Sequence, residues 1–470
     1  MADIHFGTDG WRAVIAKDFT FDNLSTVTQA TALWIREEGI TREGVVIGHD
    51  ARFMGREFSE YVACVFAAMD IPVRMADRIA PTPAVSWAAQ HHGAVGIVIT
   101  ASHNPPEYNG FKIKAPFGGP ATPGQIAQVE TRYAKADPSL KPLSYKEYLQ
   151  AGQIREIPLT DQFTDVLRKA IDLDAIATSG IRIAHDAMFG AAMGIIRELL
   201  PDQVLELHAE VNPSFHGQAP EPIERNLGGL AAFVRENECA VGLANDGDAD
   251  RIGMFDERGV FVDSHQLLCL LVKYLSQEKG LTGTIVKTFS TTDMLNRQAE
   301  AYGLPIETTP IGFKHVAEKI VEGDVIVGGE ESGGLSVKGH IPERDGIYIG
   351  LLITEMMVKS GKPLSGLVQE LFDEFGMHAT YRNDLHTSQE KKEAMMAACK
   401  HKRITSISGR KVVEWQFTDG VKHRLEDGSW LLVRPSGTEP LLRIYSEASD
   451  AETAVALVRD TTAMVDNPPA

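Results

Sequence analysis

A strongly apolar strand that ends in a polar loop is the feature of this sequence most typical of a reactive site. Residues 96–106 read Gly-Ile-Val-Ile-Thr-Ala-Ser-His-Asn-Pro-Pro, and the loop presents the hydroxyl of Ser102 soon after the strand. Open α/β sheets bind their ligands at the carboxyl ends of strands. The pattern predicts a reactive role for Ser102, although Ser, His, Asn and Pro are also ordinary turn formers.

A second apolar run leads into a loop with three carboxylates at alternate positions, Asp246, Asp248 and Asp250. Such spacing is typical of a site for a hard cation, which prefers oxygen ligands. A calcium-binding loop is a near alternative because Glu257 stands at the twelfth position, but the sixth position needs Gly and holds Arg251. A solvated acidic turn is a further alternative. Together the serine and the carboxylates indicate metal-assisted phosphoryl transfer.

A serine hydrolase is the main alternative for Ser102. The nucleophile of that class stands in a Gly-x-Ser-x-Gly turn, whereas Ser102 lies between Thr100-Ala101 and His103-Asn104. His103 is the next residue in the chain, and we expect such loop neighbours rarely to form the hydrogen bond of a catalytic triad. The sequence therefore does not favour a hydrolase.

Composition indicates a globular protein with several domains. A chain of 470 residues predicts three or four domains, and its 43% hydrophobic and 23% charged content is ordinary for a soluble protein. The net charge of −18 argues against a nucleic-acid partner, because that binding depends on Lys and Arg neutralising phosphates. A phosphorylated substrate must therefore be held by local cations within an acidic protein.

The sequence predicts a cytoplasmic protein. The four cysteines show no CxxC spacing, which indicates neither a disulfide framework nor a zinc site. The first residues lack a basic region followed by an apolar stretch, and no segment approaches the roughly 18 apolar residues of a membrane span. We expect no membrane partner, and a monomer or a homodimer.

An internal repeat predicts three similar α/β domains. Residues 45–53, Val-Val-Ile-Gly-His-Asp-Ala-Arg-Phe, recur in pattern at 181–189 and more faintly at 283–290. A second apolar strand with a polar loop follows each copy, at residues 95–105, 241–251 and 324–334. We expect mixed or parallel sheets covered by helices, each sheet delivering one loop from the carboxyl end of a strand.

Connectors near residues 136–142, 256–259 and 375–382 divide the chain. The last part alternates short strands with a final helix from about Ala451 to Val465 and predicts a smaller α+β domain. The expected fold is three similar α/β domains with mixed sheets plus a C-terminal α+β domain, around a central cleft. The expected ranges are 1–145 with the serine loop, 146–256 with the carboxylate loop, 257–375 with a glycine-rich loop, and 376–470.

Two further polar loops stand out, and the second of them could bind a phosphate. Residues 328–334 read Gly-Gly-Glu-Glu-Ser-Gly-Gly, and residues 434–440 read Arg-Pro-Ser-Gly-Thr-Glu-Pro. An arginine with hydroxyls and an exposed backbone is what a phosphate monoester needs. Taken alone, the first loop could equally be a flexible surface turn and the second a hairpin turn.

These motifs, in this order, resemble those of the α-D-phosphohexomutase superfamily, which includes phosphoglucomutases and phosphomannomutases. The serine segment continues into Tyr-Asn-Gly-Phe-Lys at 108–112, as the family's phosphoserine motif does. Residues 6–12 resemble the family's amino-terminal motif, and residues 312–315 its third-domain catalytic segment. The resemblance implies a phosphosugar substrate, an intramolecular phosphotransferase that needs Mg²⁺, and glucose 1,6-bisphosphate as intermediate or activator.

The resemblance also implies roles for the matching residues. Ser102 carries the phosphoryl group, and the metal ligands are Ser102, Asp246, Asp248 and Asp250. The other catalytic residues are His103, Lys112, Arg12, Arg251 and Lys314, with His315 as the alternative to Lys314. Glu330 and Ser332 hold ring hydroxyls, and the residues that bind the non-reacting phosphate are Arg434, Ser436, Gly437, Thr438 and Arg443.

Glucose is the sugar that the resemblance favours. Residues 330–332 read Glu-Glu-Ser as in phosphoglucomutases, whereas enzymes that take glucose and mannose tend to have Met in the middle, and phosphoglucosamine mutases Gln. The outer Glu and Ser hold hydroxyls that glucose and mannose share, so Glu331 or its neighbours must contribute to the choice. A phosphomannomutase, a dual-specificity enzyme and a phosphoglucosamine mutase are alternatives, as are a phosphatase and a sugar-phosphate sensor.

Overall fold

Four sheets organise the part of the chain that the structure describes. The structure is a computed structural model, and it describes residues 4–7, 9–436 and 441–469. Apolar and β-branched runs form the central strands and are buried throughout, as in Val45–His49, Val95–Ile99 and Val241–Asn245. Among these described residues, no helix combines the length and the apolar character needed to span a membrane.

The first domain has a six-stranded mixed sheet. Its strands are Trp11–Val14 (β1), Val45–His49 (β2), Val73–Ala76 (β3), Val95–Ile99 (β4), Tyr108–Lys114 (β5) and Ile154–Ile157 (β6). Its helices are Phe21–Glu37 (α1), Gly55–Ala68 (α2), Thr82–His92 (α3), Pro123–Glu130 (α4) and Tyr145–Gln150 (α5). The strand order is β1-β5-β4-β2-β3-β6, in which β5 is antiparallel to both of its neighbours.

The second domain has a five-stranded sheet in which the carboxylate loop follows a central strand. Its helices are Leu159–Ala170 (α6), Leu173–Thr178 (α7), Ile195–Leu199 (α8) and Gly228–Glu236 (α9). Its strands are Ile183–Asp186 (β7), Val204–Leu207 (β8), Val241–Asn245 (β9), Ile252–Asp256 (β10) and Phe261–Val262 (β11). The strand order is β11-β10-β9-β7-β8.

The third domain has a four-stranded sheet under long apolar helices. Its helices are Ser264–Lys273 (α10), Met294–Tyr302 (α11), Phe313–Glu322 (α12), Gly346–Ser360 (α13) and Leu364–Phe375 (α14). Its strands are Thr284–Thr288 (β12), Ile306–Thr309 (β13), Val325–Gly329 (β14) and Leu335–Val337 (β15). The strand order is β13-β12-β14-β15.

The fourth domain has an antiparallel sheet with two helices. Its strands are Ala379–His386 (β16), Ser406–Ile407 (β17), Arg410–Gln416 (β18), Val421–Leu425 (β19), Trp430–Pro435 (β20) and Leu441–Ala448 (β21). Its helices are Gln389–Lys400 (α15) and Ala451–Met464 (α16). The strand order is β16-β21-β20-β19-β18-β17.

One four-strand order recurs in the first three domains, at the positions that the internal repeat predicts. The orders are β5-β4-β2-β3, β10-β9-β7-β8 and β15-β14-β12-β13. In each domain the repeat strand is parallel to the strand that precedes the chemical loop, as β2 is to β4. The prediction of three similar α/β domains with mixed sheets and a C-terminal α+β domain is confirmed.

Two of the expected domain boundaries fall inside sheets. β6 pairs with β3, so the first sheet continues past residue 145. β11 pairs with β10, so the second sheet continues past residue 256. Short strands at a sheet edge carry little hydrophobic pattern, so the extension of a sheet past a connector leaves little sign in the sequence. The boundary expected after residue 375 lies between α14 and β16.

The second and third domains share a hydrophobic core, whereas the fourth has its own. Leu243 of β9, Leu271 of α10 and Ile353 of α13 belong to one continuous buried cluster. Leu431 and Leu442 belong to a separate cluster in the fourth domain. The loops of the second and third domains are therefore held in a fixed relation by packing.

The start of α13 lies directly against the carboxylate loop. The backbone N–H of Gly346 donates to the carbonyl of Ala249 at 3.1 Å. A Cβ at Gly346 would lie 2.1 Å from the carbonyl oxygen of Arg251 and 2.5 Å from the amide nitrogen of Asn245. Glycine is required here because two backbone segments of different domains make close contact.

We predict that Gly346→Ala lowers stability, because the added methyl group must push the carboxylate loop away from α13. Overpacking of this kind costs about 1–3 kcal/mol, which thermal unfolding followed by circular dichroism would show as a lower midpoint. Gly366→Ala is the matched control, since its Cβ would make ordinary contacts with Pro363 at 3.4 and 3.5 Å. Equal midpoints for Gly346→Ala and the unchanged protein would contradict the prediction.

Candidate active site

Ser102 lies in the loop between β4 and β5 and meets the carboxylate loop of the second domain. Its Oγ donates a hydrogen bond to Asp246 Oδ2 at 2.6 Å, and its backbone N–H donates to Thr100 Oγ1 at 2.8 Å. The Ser102 backbone has a left-handed φ of 53°, which is uncommon for a residue other than glycine. The two loops that the sequence singled out are therefore in contact, and the serine is held in an unusual conformation.

His103 contacts the serine hydroxyl. Its Nδ1 lies 3.2 Å from Ser102 Oγ, a proximity that the sequence argument did not expect. Burial and the nearby cations, Arg251 and Arg12 foremost, hold the pKa of His103 well below its ordinary value. None of the described carboxylates is hydrogen-bonded to this imidazole, so the contact does not form a Ser-His-Asp triad.

Asp246, Asp248 and Asp250 form a buried cluster, each offering an oxygen within 4.8 Å of the others. Asp248 Oδ2 accepts from Thr82 Oγ1 at 2.5 Å and from Lys112 Nζ at 2.7 Å. Within the described residues, Asp248 Oδ1 and Asp250 Oδ1 are buried without a hydrogen-bond partner. Because unpaired buried carboxylate oxygens are costly and hard cations prefer oxygen ligands, these residues fit Mg²⁺.

The carboxylate cluster and Lys112 shift one another's protonation. Burial and the neighbouring carboxylates Asp250 and Asp248 raise the pKa of Asp246 well above its ordinary value. Burial also disfavours the charged form of Asp248, but Lys112 and Thr82 lower the pKa of that carboxyl overall. The same carboxylates raise the pKa of Lys112 in spite of its burial, so its side chain is a cation at neutral pH.

A buried arginine joins the carboxylate loop to the glycine-rich loop. Arg344 Nη2 lies 2.7 Å from Asp250 Oδ2, and Nη1 lies 3.5 Å from Glu330 Oε1. Arg344 also pairs with Asp9, whose other partners are Lys112 at 2.8 Å and Lys114 at 3.3 Å. Sequence reasoning missed Arg344 and Asp9, although a charged run directly before the apolar helix α13 is a usable signal.

Two arginines, one in each of the first two domains, lie near His103 and Asn104 of the serine loop. Arg12 Nη1 donates to Asn104 Oδ1 at 2.7 Å. Burial lowers the pKa of Arg12, and the charge of nearby Arg251 lowers it further. Arg251 Nε is buried and has no hydrogen-bond partner among the described residues. Adjacent guanidinium groups with a free donor are suited to an anion such as a phosphoryl group.

Lys314 and His315 at the start of α12 point in different directions. Lys314 lines a cavity of about 240 Å³ together with Asp9 and Gly10 of the first domain. His315 Nδ1 lies 3.6 Å from Glu318 on its own helix. Of the two, Lys314 is the residue that lies beside the amino-terminal motif.

The glycine-rich loop contains a buried carboxylate, Glu330, and borders a cavity with the residues that follow it. Ser332 Oγ donates to Glu330 Oε1 at 2.7 Å, and burial raises the pKa of Glu330. Glu331 Oε2 accepts from Ser290 Oγ at 2.5 Å and from Thr288 Oγ1 at 3.3 Å. Glu331 and Ser332 border a cavity of about 320 Å³ whose other walls come from the second and fourth domains.

Two arginines stand directly opposite each other on β20 and β21 of the fourth domain. Arg434 and Arg443 are cross-strand partners, and Arg434 Nε donates to Asp419 at 3.0 Å. Arg443 Nε is buried without a hydrogen-bond partner among the described residues. Like charges opposite each other are unfavourable, so the pair fits an anion. Ser436 follows β20 and is buried, whereas Gly437 and Thr438 lie outside the described residues.

Four family models match consecutive parts of the chain. They are described as phosphoglucomutase/phosphomannomutase alpha/beta/alpha domain I, domain II, domain III and C-terminal domain, and they match residues 3–139, 161–259, 263–375 and 387–463. The matched segments follow the order of the four sheets.

Relatives match along nearly the whole chain. A phosphoglucomutase/phosphomannomutase of Thermococcus kodakarensis is 32% identical, covering 96% of this chain and 95% of its own length. A phosphoglucosamine mutase of Carboxydothermus hydrogenoformans is 29% identical, covering 98% and 99%. A solved structure from Thermus thermophilus, provisionally named a phosphomannomutase, is 34% identical with a TM-score of 0.86, covering 99% and 100%.

We predict that Asp248→Asn weakens Mg²⁺ binding at least tenfold, because it removes one of three carboxylate charges and the free oxygen that faces the cluster. Isothermal titration calorimetry or the rise in unfolding temperature with added Mg²⁺ measures this. Asp256→Asn is the control, since this buried carboxylate of the same domain lies outside the cluster and binds Arg258. An unchanged Mg²⁺ affinity for Asp248→Asn would exclude the cluster as the site.

Proposed function

Because the chain belongs to the phosphoglucomutase/phosphomannomutase family, whose members are intramolecular phosphotransferases acting on hexose phosphates, we propose that it interconverts glucose 1-phosphate and glucose 6-phosphate. The observation that carries the proposal is the contact between Ser102 Oγ and Asp246. This contact places a nucleophilic hydroxyl beside a carboxylate cluster with unpaired buried oxygens. Such a pair suits a phosphoryl carrier and a divalent cation.

In the proposed cycle Ser102 carries a phosphoryl group and transfers it to the free hydroxyl of a hexose phosphate. The bond between phosphorus and Ser102 Oγ breaks and the bond to the sugar oxygen forms, while the proton lost by the sugar hydroxyl is balanced by protonation of the departing Ser102 Oγ. The resulting glucose 1,6-bisphosphate turns over in the cleft, and its other phosphoryl group returns to Ser102. One phosphate is therefore held at Arg434 and Arg443 while the other reacts.

The carboxylate cluster and Lys112 prepare the reacting end. Asp246, Asp248 and Asp250, with an oxygen of phosphorylated Ser102, supply the ligands for Mg²⁺. When bound, the ion neutralises charge on the transferring phosphoryl group. Lys112, which its carboxylate partners keep protonated, steadies the phosphoryl oxygens.

Cations at both ends hold the two phosphates of the intermediate. Arg12, Arg251 and Lys314 serve the end at Ser102, with neutral His103 beside the hydroxyl. Arg434, Arg443 and Ser436, with Gly437 and Thr438, serve the other end. At about 4 Å and an effective dielectric near 20, each cation–phosphate pair contributes on the order of 4 kcal/mol before desolvation. Several such pairs can retain the bisphosphate while it reorients.

The glycine-rich loop supports a preference for glucose. Glu330 and Ser332 are hydrogen-bonded to each other, and in this proposal they bind ring hydroxyls. Glu331 is fixed by Ser290 and Thr288, so its carboxylate has a defined position beside the cavity. A defined carboxylate discriminates between sugars that present a hydroxyl differently.

We predict that Ser102→Ala lowers turnover by several orders of magnitude, because the phosphoryl carrier is lost while the binding residues remain. Intact-mass measurement after incubation with glucose 1,6-bisphosphate should show one added phosphate on the unchanged protein and none on the variant. Ser59→Ala is the control, since this serine is buried in the same domain and its hydroxyl has no partner among the described residues. Equal labelling of Ser102→Ala and the unchanged protein would remove Ser102 from the mechanism.

We also predict at least tenfold higher kcat/KM for glucose 1-phosphate than for mannose 1-phosphate, with weaker activity on glucosamine 1-phosphate. A misdirected hydroxyl that leaves a buried partner unpaired costs about 1–3 kcal/mol, which is roughly tenfold to a hundredfold in rate. A panel of the three sugar phosphates, assayed with and without glucose 1,6-bisphosphate, measures the preference.

The same panel separates the alternatives. Comparable efficiency on mannose 1-phosphate would replace the glucose preference with dual specificity, and highest efficiency on glucosamine 1-phosphate would make the protein a phosphoglucosamine mutase. A parallel assay for inorganic phosphate identifies a phosphatase, which releases phosphate to water without forming the isomeric sugar phosphate.

A further inference from the structure

Arg52 lies between β2 and α2 and binds the backbone of the loop that contains Ser102. Its side chain is fully buried. The guanidinium group donates to four backbone carbonyls, and the acceptors are Ser102 at 2.6 Å, Asn104 at 2.6 Å, Pro105 at 2.8 Å and Tyr108 at 3.0 Å. Three of these carbonyls lie in the segment that joins β4 to β5, and the fourth belongs to the first residue of β5, so one side chain fixes the loop from the serine to the next strand.

Hydrogen bonds through Asp50 and Thr100 also link Arg52 to the backbone N–H of Ser102. Arg52 Nε donates to Asp50 Oδ2 at 3.1 Å. The same carboxylate oxygen accepts from Thr100 Oγ1 at 2.6 Å, and Thr100 Oγ1 accepts from the Ser102 N–H at 2.8 Å. The Ser102 backbone is therefore held on both its N–H side and its carbonyl side by groups that converge on Arg52.

Holding the loop in this way is energetically demanding. A buried guanidinium group loses its hydration, and the effective penalty is several kcal/mol even after relaxation. Phe215 of the second domain covers the group, with its ring centroid 5.0 Å from the guanidinium carbon. Ser102 is also held in the left-handed region, a strained state that persists only where the surroundings over-determine it. The hydrogen bonds from Arg52 to the four carbonyls and to Asp50 hold Ser102 in this conformation.

The internal repeat shows that the turn itself does not need an arginine. In the second domain Asp186 occupies the place of Asp50, and Asp186 Oδ1 accepts from the backbone N–H two residues later at 2.8 Å. Asp50 Oδ1 accepts from the Arg52 N–H in the same way at 3.0 Å. The residue at the place of Arg52 is Met188. The arginine is therefore found in the copy that carries the serine loop.

We infer that Arg52 is a positioning residue for phosphoryl transfer, which fixes the serine loop so that Ser102 Oγ faces the carboxylate cluster and the incoming hydroxyl. This inference rests on the proposed function. Small displacements of reacting groups have large kinetic effects, since a misplacement of about 1 Å can cost a hundredfold in rate. Arg52 acts through the loop, because its guanidinium nitrogens donate to backbone carbonyls and to Asp50.

The test replaces Arg52 by lysine. Lysine keeps the positive charge, but its single ammonium group cannot donate to all four carbonyls at once. Arg52→Lys should lower kcat for glucose 1-phosphate at least tenfold and leave KM within threefold, because the sugar and phosphate loops lie on other domains. Arg56→Lys is the matched control. Arg56 lies in the same domain and also donates to backbone carbonyls, those of Ala76 and Asp77, but far along the chain from the serine loop. Its kcat should stay within twofold of the unchanged protein.

A purely structural role predicts a different result. It would lower the folded fraction, and phosphate labelling from glucose 1,6-bisphosphate would fall in proportion to turnover. Positioning predicts full labelling at equilibrium with slower single-turnover transfer from phosphorylated Ser102 to the sugar. A wild-type transfer rate in folded Arg52→Lys, or a loss of turnover fully explained by loss of labelling, would overturn the inference.

A second variant covers the case in which Arg52→Lys does not fold. Thr100→Val keeps the shape of the side chain and removes only the hydroxyl that links Asp50 to the Ser102 N–H. It should show the same fall in kcat with little change in KM, and an unchanged kcat would overturn the inference. Absence of mutase activity in the unchanged protein would contradict the proposed function itself, which distinguishes the two failures.

Discussion

Compensation of buried negative charge is the constraint on which the centre of the molecule depends. The carboxylates Asp246, Asp248 and Asp250 are all fully buried, and each would be costly without a cation nearby. Lys112 reaches two of them from the first domain, and Arg344 reaches one from the third. The close packing of three domains at this point therefore follows from the electrostatics of the second domain's loop. Gly346 allows the third domain to approach closely enough to take part.

The same compensation leaves the cluster ready for a metal ion. Lys112 engages the Oδ2 atoms of Asp248 and Asp250, while their Oδ1 atoms have no hydrogen-bond partner among the described residues. The Oδ2 atom of each of these two carboxylates thus binds Lys112, and the Oδ1 atom is available to a metal ion. The ammonium group of Lys112 offsets part of the repulsion between these carboxylates.

Much of this arrangement could be predicted from local sequence. The remaining contacts could not, because they join residues that are far apart in the chain. Ser102, the three aspartates and Glu330 stand in loops after apolar strands, and the repeat of residues 45–53 predicted the common sheet order. Asp9 and Arg344 were missed because their partners are far away in the chain, and pairing of that kind leaves no periodic pattern. The extension of the first sheet by β6 was missed for a similar reason, since a short edge strand is defined by its neighbour more than by its own residues.

Because the cations lie inside an acidic protein, they affect the approach of a phosphorylated molecule and its retention in different ways. With a net charge of −18, the protein does not draw phosphorylated molecules from a distance, and screening limits any attraction to about 8 Å at physiological ionic strength. In the cycle that we propose, Arg251 and Arg443 act only on a molecule that has already entered the cleft. There they would lengthen its residence without speeding its encounter. For the proposed intermediate, which has to turn end over end before it reacts again, the residence time would decide whether the cycle is completed.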